Sequence, residues 1–464
     1  MLFNSYLFLF GFLPVVFMVF LALRRQAWRV AFLVVASYVF YAYAQWWFPA
    51  LMAASTLIAF STGRLLELER SWGRGREKWI LSSGIAGALG LLLYFKYAQF
   101  VTHSSVGVLH ILTKRGFPSV EAFTSHIVLP IGISFFTFEA ISYMVDVYRK
   151  DVEVERNIVR FAFFISFFPH LVAGPIVRYS KLRPQLQQFY RLDLGQLTDG
   201  LGLLAAGLVK KVVIADSIAA RTDAALAQPS SVGFAAAWLG MIGYSFQIYF
   251  DFAGYCDMAL GLARMFGIEL PWNFDRPYRA RSPQEFWRRW HVTLSSWLRD
   301  YLYIPLGGSR KGERRRDANL LVTMGLGGLW HGAAFSFMGW GLYHGGLLVA
   351  HRHLQRLNVR LAATVATALT FVLVTIGWVF FRMRGAHAVG STFAGMLGLH
   401  GLGGVPTDLL PWLAVAALLM WGVPEEWRWR FSAWPAWRLA PVGFALASAL
   451  LLLNTTTRFI YFRF

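Results

Sequence analysis

The sequence has very little cysteine and few charged residues for its length. Cys256 is the one cysteine among 464 residues, which excludes a disulfide within the chain and the usual cysteine-based metal sites. Charged residues make up 15% of the chain, against roughly 25% in soluble domains, whereas 57% of the residues are hydrophobic. Apolar runs of membrane-spanning length recur along the whole sequence. This pattern predicts an all-α, polytopic membrane protein.

Acidic residues are scarce relative to basic ones. The chain has 24 Asp and Glu against 44 Lys and Arg, which gives a net charge of +20. The basic residues lie between apolar runs, so we expect them to mark cytoplasmic loops, and we expect no nucleic-acid partner. The first apolar run, residues 2–23, lacks a basic segment before it and is followed by Arg24 and Arg25. We therefore expect no cleavable signal peptide, and residue 1 on the outer side of the membrane.

Apolar segments divide the rest of the chain without an internal repeat or a soluble domain. They lie at about residues 2–23, 28–48, 50–66, 79–101, 123–147, 158–177, 198–220, 233–262, 318–350, 362–382, 407–423 and 437–453. Residues 164–179 hold two prolines, a glycine and a histidine, which predicts a broken or re-entrant helix, and residues 129–138 are similar. We expect one membrane domain over residues 1–464, with its core motifs at about 129–350.

A central stretch, residues 271–316, is much more polar than its surroundings. Ser282-Pro283-Gln284-Glu285 has a Ser cap, a Pro in the first helical position and a Glu at the third position, which predicts a helix start. Apolar residues then recur every three or four positions to about Tyr303, which predicts an amphipathic helix at the membrane interface or oblique in the bundle. Gly307-Gly308 ends this helix, and the basic loop of residues 310–316 follows.

His331 is the most conspicuous polar residue, because it lies within the apolar run of residues 320–345. Polar side chains at membrane depth are costly and are usually functional or paired. A histidine accepts and returns a proton near neutral pH, so His331 is either a catalytic base or a residue that hydrogen-bonds a neighbouring helix. Nearby glycines permit close backbone packing and leave room for a narrow substrate. They are Gly325, Gly327, Gly328, Gly332, Gly339 and Gly341.

His291 is a second histidine on a largely apolar face, in the preceding helical segment. Consecutive helices are usually neighbours, so His291 and His331 can converge on one cavity; the alternative for His291 is a packing role. A metal site normally needs three or more ligands on one face, whereas His351 and His353 are two residues apart and face different directions. We therefore expect no metal.

Buried charges form a further set of candidates. Asp251 and Asp257 lie in an apolar tract, where carboxylates are costly unless paired or functional. We favour a structural role, in which they order arginines of residues 276–299, over a catalytic one. Glu139 and Lys210-Lys211 are expected to form ion pairs in the bundle or to mark loop ends. The sequence contains no phosphate-binding Walker loop and no GxSxG nucleophile motif.

Several long motifs point together to a known family. They are FWRRWHVTLSSWLRDYLYIPLGG at 286–308, WHG at 330–332, YFDFAGYCDMALGLARMFGIELPWNFDRPYRA at 249–280, FPHLVAGPIVRY at 168–179 and FIYFRF at 459–464. In these motifs the chain resembles the membrane-bound O-acyltransferases. Within that family it resembles the bacterial alginate O-acetyltransferase branch, which also serves other exopolysaccharides.

The resemblance implies a mechanism as well as a fold. It makes His331 the catalytic histidine and His291 the second active-site histidine. It implies a ring of about eleven or more transmembrane or re-entrant helices around a central tunnel, in the bacterial inner membrane. Acetyl would come from cytoplasmic acetyl-CoA and cross the membrane for O-acetylation of an exopolysaccharide such as alginate or cellulose. Separate periplasmic acetyltransferase proteins are the implied partners, and no bound cofactor is implied.

The basic loop after the amphipathic helix is a candidate donor site. Arg310, Lys311, Arg314, Arg315 and Arg316 could attract the phosphates of coenzyme A by charge and by bidentate geometry. The alternative is that this loop only sets the topology of the chain.

The C-terminal residues are a candidate acceptor. Arginines in residues 425–438 should hold that turn in the cytoplasm, which places residues 454–464 outside. There the order Phe-x-Tyr-x-x-Phe resembles the C-terminal motif of small partner proteins in D-alanyl-transfer systems, whose tyrosine is thought to carry the acyl group. Tyr461 is thus an acyl-relay candidate, and the alternative is an aromatic belt at the interface.

Two other functions stay open at this point. Broken helices and intramembrane charges also suit a transporter that moves an acyl group or a polymer without chemistry of its own. An acyltransferase acting on a lipid or a teichoic-type polymer would share the same motifs.

Overall fold

The computed structural model describes residues 1–113, 124, 126–187, 193–357, 361–425 and 428–453. Every regular element in this part of the chain is a helix, which confirms the predicted all-helical class. The backbone separates into two compact units, Met1–Arg191 and Leu192–Phe464.

The first unit consists of apolar helices that follow the predicted segments. They are α1 (Leu13–Ala22), α2 (Gln26–Ala42), α3 (Phe48–Trp72), α4 (Glu77–Leu92), α5 (Ala98–Thr113), α6 (Ile133–Arg149), α7 (Ile158–Ser166), α8 (Phe168–Leu171) and α9 (Tyr179–Gln187). A π-helical turn, Leu93–Tyr97, joins α4 to α5 without a break. The continuous helix Glu77–Val106 and helix α3 are long and apolar enough to cross a membrane.

The predicted break in residues 164–179 is present. Helix α7 ends at Ser166, the four-residue helix α8 follows, and the chain is non-helical from there to α9. Glu139 stabilises this irregular segment, because it accepts the backbone N–H of Val177 at 3.0 Å and lies 3.5 Å from Nε2 of His170. Both side chains of the Glu139–His170 pair are buried, so Glu139 has the pairing role that we expected within the bundle.

The second unit contains the remaining helices. They are α10 (Leu194–Leu208), α11 (Asp216–Ala225), α12 (Phe234–Met265), α13 (Pro283–Arg289), α14 (Val292–Leu298), α15 (Glu313–His331), α16 (Phe335–Arg356), α17 (Ala363–Arg382), α18 (Ala386–Met396), α19 (Leu410–Gly422) and α20 (Ala436–Leu451). Helix α17 is apolar and long enough to cross a membrane. A π-helical turn, Val209–Ala215, lies between α10 and α11.

Buried lysines neutralise the two aspartates of α12. Lys210 lies 2.8 Å from Asp257 and 3.2 Å from Glu425. Lys211 lies 2.7 Å from both Asp216 and Asp251. The structural role predicted for the aspartates is therefore present. We had predicted that arginines of residues 276–299 would be the partners of these aspartates. That prediction was wrong, because the π-helical turn brings the two lysines to α12.

Two predicted segments are interrupted in the structure. The amphipathic helix expected from residue 282 to about 303 is divided at Trp290 and His291 into α13 and α14, with a π-helical turn Arg299–Tyr303 after it. The apolar run of residues 318–350 forms two helices, α15 and α16, because Gly332 adopts an extended conformation immediately after His331. Helix α18 had no counterpart among the predicted segments.

Candidate functional site

His291 occupies the break between α13 and α14. Its backbone has φ = 43° and ψ = 54°, a left-handed conformation that is costly for a residue with a side chain. Its side chain is fully buried, with the ring 4.8 Å from that of Phe252 between centroids. Neither ring nitrogen has a hydrogen-bond partner among the described residues. The backbone thus turns a buried imidazole with free nitrogens into the interior of the unit.

Asn273 holds the chain on the C-terminal side of His291. Its carbonyl oxygen accepts the N–H of Val292 at 3.0 Å. Its side-chain oxygen accepts the hydroxyl of Thr293 at 2.7 Å and the N–H of the same residue at 3.2 Å. The side-chain amide points to the sulfur of Cys256 on α12 at 3.4 Å. Asn273 is a positioning residue that our sequence analysis missed. Its position in the WNFDRP motif, outside any predicted helix, was the available clue.

His331 ends helix α15 and is enclosed by aromatic rings. Its ring centroid lies 4.9 Å from Trp330, 5.0 Å from Trp340 and 5.3 Å from Phe381. The His291 ring is 6.4 Å away, so the structure brings the two predicted histidines together. The side chain of His331 is 4% exposed, which places it out of bulk solvent.

The glycines near His331 bring helix backbones together. A Cβ atom on Gly332 would lie 2.2 Å from the ring of Phe337, and one on Gly341 would lie 2.1 Å from the carbonyl oxygen of Met324. The expectation of close packing is therefore confirmed between α15 and α16. At these two positions the expectation of room for a substrate was wrong, because the opposite helix fills the space beside them.

His344 is a third buried imidazole that our sequence analysis did not single out. It lies on α16, with ring centroids 4.9 Å from Trp340 and 5.3 Å from Trp287. Neither of its nitrogens has a hydrogen-bond partner among the described residues. The four-residue spacing of Trp340 and His344 places both on one helix face and could have indicated it. Across the described residues, no group of three His, Cys, Asp or Glu is arranged to hold a metal ion.

A cavity of about 570 Å³ is lined by residues of helices α13 to α16, and neither His291 nor His331 is among its described lining residues. Trp287 of α13, Val292 of α14 and Arg299 of the π-helical turn Arg299–Tyr303 line it. Val292 directly follows His291 in the chain. Helices α15 and α16 contribute Met324 and Arg352. Arg288, Ser295, Ser296 and His351 also line it. The cavity therefore combines basic and hydroxyl groups with an apolar wall that includes the residue next to His291 in the chain.

The predicted donor loop lies outside this lining. Ser309 lines the cavity, but the lining residues of the described chain do not include any of the five predicted basic residues. Arg316 is buried and pairs with Asp317 at 3.2 Å. Arg310, Lys311, Arg314 and Arg315 are exposed. Tyr461 lies outside the described residues, so its role as an acyl relay stays a prediction.

Comparisons with known proteins identify a family for the chain. The model of MBOAT, the membrane-bound O-acyltransferase family, matches residues 149–388. The chain is 44% identical over 408 residues to "Probable alginate O-acetylase AlgI" of Pseudomonas putida, covering 85% of this chain and 80% of that protein. It is 36% identical to "Peptidoglycan O-acetyltransferase" of Helicobacter pylori, covering 87% of this chain and 81% of the relative.

A third relative is similar over a shorter part of the chain. The chain is 28% identical to "Teichoic acid D-alanyltransferase" of Bacillus subtilis over 55% of this chain and 69% of that protein. Both His291 and His331 lie within the residues that the family model matches. The chain belongs to the membrane-bound O-acyltransferase family, in its alginate O-acetyltransferase-like branch, and is an O-acyltransferase.

Proposed function

We propose that the chain takes acetyl from cytoplasmic acetyl-CoA and passes it across the bacterial inner membrane for O-acetylation of an exopolysaccharide such as alginate. The observation that carries this proposal is the pair of buried histidines, whose ring centroids are 6.4 Å apart. A cavity with basic and apolar walls is lined by Val292, the residue that directly follows His291. Acyl transfer from a thioester to a hydroxyl needs a proton acceptor and a group that stabilises the oxyanion, and two imidazoles can supply both.

His331 is the general base of the proposed reaction. It removes the proton of the acceptor hydroxyl as the hydroxyl oxygen attacks the thioester carbonyl. When the carbon–sulfur bond breaks, the imidazolium returns its proton to the coenzyme A thiolate. The surrounding rings of Trp330, Trp340 and Phe381 exclude water, which protects the thioester from hydrolysis.

His291 stabilises the developing oxyanion. A neutral imidazole has one N–H donor, and the nitrogens of His291 have no partner among the described residues that would compete for it. The left-handed backbone at His291 and the hydrogen bonds of Asn273 hold the ring in place before the substrate arrives. Such preorganised donors are the usual source of oxyanion stabilisation.

The 570 Å³ cavity is the proposed donor site. Arg288, Arg299 and Arg352 offer guanidinium groups to the phosphates of coenzyme A, and the wall of Trp287, Val292 and Met324 suits its apolar arm. The cavity is near the end of α16 that pairs with the start of α15 through Arg356 and Glu313. That end adjoins the basic loop of residues 310–316, which is expected to be cytoplasmic.

The proposed acceptor is inferred from the relatives of the chain. The alginate and peptidoglycan enzymes are similar over more than four fifths of this chain, whereas the teichoic acid enzyme is similar over 55%. An exopolysaccharide is therefore the proposed acceptor, with peptidoglycan as the second candidate. Periplasmic acetyltransferases would complete the pathway, with both termini of this chain on the periplasmic side. Tyr461 would receive acetyl as an ester on its way to the polymer.

The test is release of coenzyme A from acetyl-CoA by protein purified in detergent, with an alginate oligosaccharide added to supply the acceptor hydroxyls that the reaction needs. The variant His331→Ala should remain folded and lose about 10²–10⁴-fold of the release rate, the usual contribution of a general base. His387→Ala changes an exposed histidine of α18 and should keep the wild-type rate. If His331→Ala releases coenzyme A as fast as the wild type, the assignment of the base is wrong. A wild-type protein that releases none would instead support a transporter.

Acetylation of polymer in cells tests the proposed relay. Tyr461→Phe removes the hydroxyl and keeps the ring, so it should abolish O-acetylation of the polymer in cells. It should also abolish coenzyme A release by the purified protein, because the hydroxyl that attacks the thioester is then missing. Full acetylation in cells that carry Tyr461→Phe would reject Tyr461 as an acyl carrier.

A further inference from the structure

A second cavity of the Leu192–Phe464 unit is lined almost wholly by arginines. Its volume is about 350 Å³, and its lining consists of Arg276, Arg279, Arg281, Arg289 and Glu285. We call it the arginine cavity. It does not share a lining residue with the proposed donor site. Four guanidinium groups in so small a space repel one another unless negative charge is close by.

The carboxylates around the arginine cavity do not balance its charge. Glu285 pairs with Arg289 at 2.8 Å, and Asp275 lies 3.8 Å from the same guanidinium. Asp275 is also 2.7 Å from Arg428, which brings a further positive charge to it. A third carboxylate, Glu425, accepts the backbone N–H of Arg276 at 2.7 Å, but it also pairs with Lys210 at 3.2 Å. Among the described residues, the carboxylates near the cavity therefore remain fewer than the cations they face.

The arginine side chains also have hydrogen-bonding capacity left over. The buried Nε of Arg276 has no partner among the described residues. Arg279 donates to the carbonyl oxygen of Trp421 at a long 3.3 Å. Burial, and then the charges of Arg276 and Arg289, lower the pKa of Arg279 below its usual value. A phosphodiester, with one negative charge and two unesterified oxygens that accept hydrogen bonds, would reduce the repulsion and satisfy donors that lack a partner.

An apolar cavity adjoins the arginine cavity through a shared residue. Arg276 lines both, and the second cavity has a volume of about 340 Å³. Its wall is mostly apolar and comes from the π-helical turn Val209–Ala215 and from helices α12, α19 and α20, through residues such as Phe250, Leu419 and Val442. The paired charges of Lys210 and Glu425 also line it. Helices α19 and α20 are short apolar helices with many exposed hydrophobic side chains. A cationic cavity joined to an apolar cleft matches the two ends of a phospholipid.

We propose that these two cavities hold one anionic phospholipid, with its phosphate on the arginines and the start of an acyl chain in the apolar cleft. The basic residues of this region mark a cytoplasmic loop, and the cytoplasmic leaflet is the one whose anionic lipids attract clustered arginines. The site requires no acyl transfer and is independent of the function proposed above.

Lipid retention in nanodiscs tests the proposal. The full-length protein is placed in discs of equal parts phosphatidylglycerol and phosphatidylcholine, re-extracted in a neutral detergent, and its retained lipid is quantified by native mass spectrometry. Phosphatidylglycerol should be enriched over phosphatidylcholine in the wild type. Arg281→Gln should reduce that enrichment by about fivefold, the ratio expected for one basic residue at an anionic membrane surface. Arg281 is exposed at the rim of the cavity, so this change should leave the fold intact.

Two further variants separate the lipid from other causes. Val442→Trp narrows the apolar cleft without changing charge and should also lower phosphatidylglycerol retention. Arg74→Gln removes one exposed positive charge in the other unit and should retain the wild-type enrichment. Equal retention of the two lipids, or wild-type enrichment in Arg281→Gln, would overturn the proposal.

Inorganic pyrophosphate is the probe for a soluble phosphate ligand. Arg281-dependent thermal protection by pyrophosphate, with no phosphatidylglycerol preference, would assign the arginines to that ligand and reject the lipid.

Discussion

Two regions of the second unit bury titratable groups in opposite ways. Around Lys210 and Lys211, each buried ammonium faces two carboxylates within 3.2 Å. Around His291, His331 and His344, the near neighbours are aromatic rings, and the nitrogens of two of these imidazoles have no partner among the described residues. In the first region, the lysine cluster, buried charges are paired with one another. In the second region, the histidine cluster, ring nitrogens remain able to hydrogen-bond a substrate.

The difference separates structural from chemical use of a buried polar group. A buried charge that is fully paired links helices, and its removal leaves a costly unpaired partner. A neutral imidazole in an aromatic enclosure contributes little to holding helices together through polar contacts, but it can bind a hydroxyl or an oxyanion. Changes in the lysine cluster should therefore lower stability, whereas changes in the histidine cluster should lower turnover.

The largest expected effect is on stability, from Lys210→Met. This change leaves Asp257 and Glu425 buried without their common cation, which typically costs about 3–5 kcal/mol. Thermal unfolding in detergent, followed by loss of the monodisperse species, measures it. Lys78→Met removes an exposed lysine from α4 and should change little. Equal stability of the two variants would break the comparison, because the lysine cluster would then have no structural role.

The next effect is on turnover, from His291→Gln. Loss of an oxyanion donor usually costs about 10²–10³-fold in rate, so coenzyme A release should fall by that factor. The unfolding temperature and the affinity for acetyl-CoA should stay close to those of the wild type, since His291 has no polar partner within the described chain. An unchanged release rate would reduce His291 to a packing residue. A large loss of stability would instead place it with the lysine cluster.

Local rules predicted much of the fold around these two regions. The Ser282 cap is present, with its hydroxyl accepting the N–H of Glu285 at 3.1 Å, because a capping box is decided by a few adjacent residues. The apolar segments form helices for the same reason, since neighbouring residues within each segment determine its helical structure. The pairing of Lys210 with Glu425 joins residues far apart in sequence, and no local pattern specifies it.

The break at His291 shows where local rules fail. The sequence around it, FWRRWHVTLSSW, has no proline or glycine, so its apolar spacing predicts one continuous helix. The chain turns there because Asn273, from a preceding loop, bonds Val292 and Thr293 on the C-terminal side. The two histidines stood out from their apolar surroundings, and the family motifs favoured a catalytic role for them over a packing role. Their convergence was predicted from helix adjacency, but the conformation of His291 required the structure.

A smaller effect is expected from Asn273→Ala, which tests how His291 is positioned. Loss of the side-chain bonds to Thr293 should lower kcat by about tenfold, corresponding to roughly 1.4 kcal/mol of misplacement. KM for acetyl-CoA should not change, because Asn273 does not line the donor cavity. Asn273→Asp keeps an acceptor for both Thr293 bonds and should recover most of kcat. If both variants lose kcat and KM rises in parallel, Asn273 acts on the donor cavity rather than on His291.

The smallest effect is expected from arginines. It compares a charge that lines the proposed donor cavity with a charge in the exposed loop. Arg352 lines the proposed donor cavity, whereas Arg314 is exposed in the loop that we first considered. Arg352→Gln should raise KM for acetyl-CoA by about fivefold at unchanged kcat, because a partly buried guanidinium contributes roughly 1 kcal/mol to phosphate binding. Arg314→Gln should leave KM within about twofold, since an exposed charge is screened by salt. Steady-state coenzyme A release at varied acetyl-CoA measures both. The reverse ranking would return donor binding to residues 310–316 and leave the cavity to another ligand, while the assignment of His331 and His291 would stand.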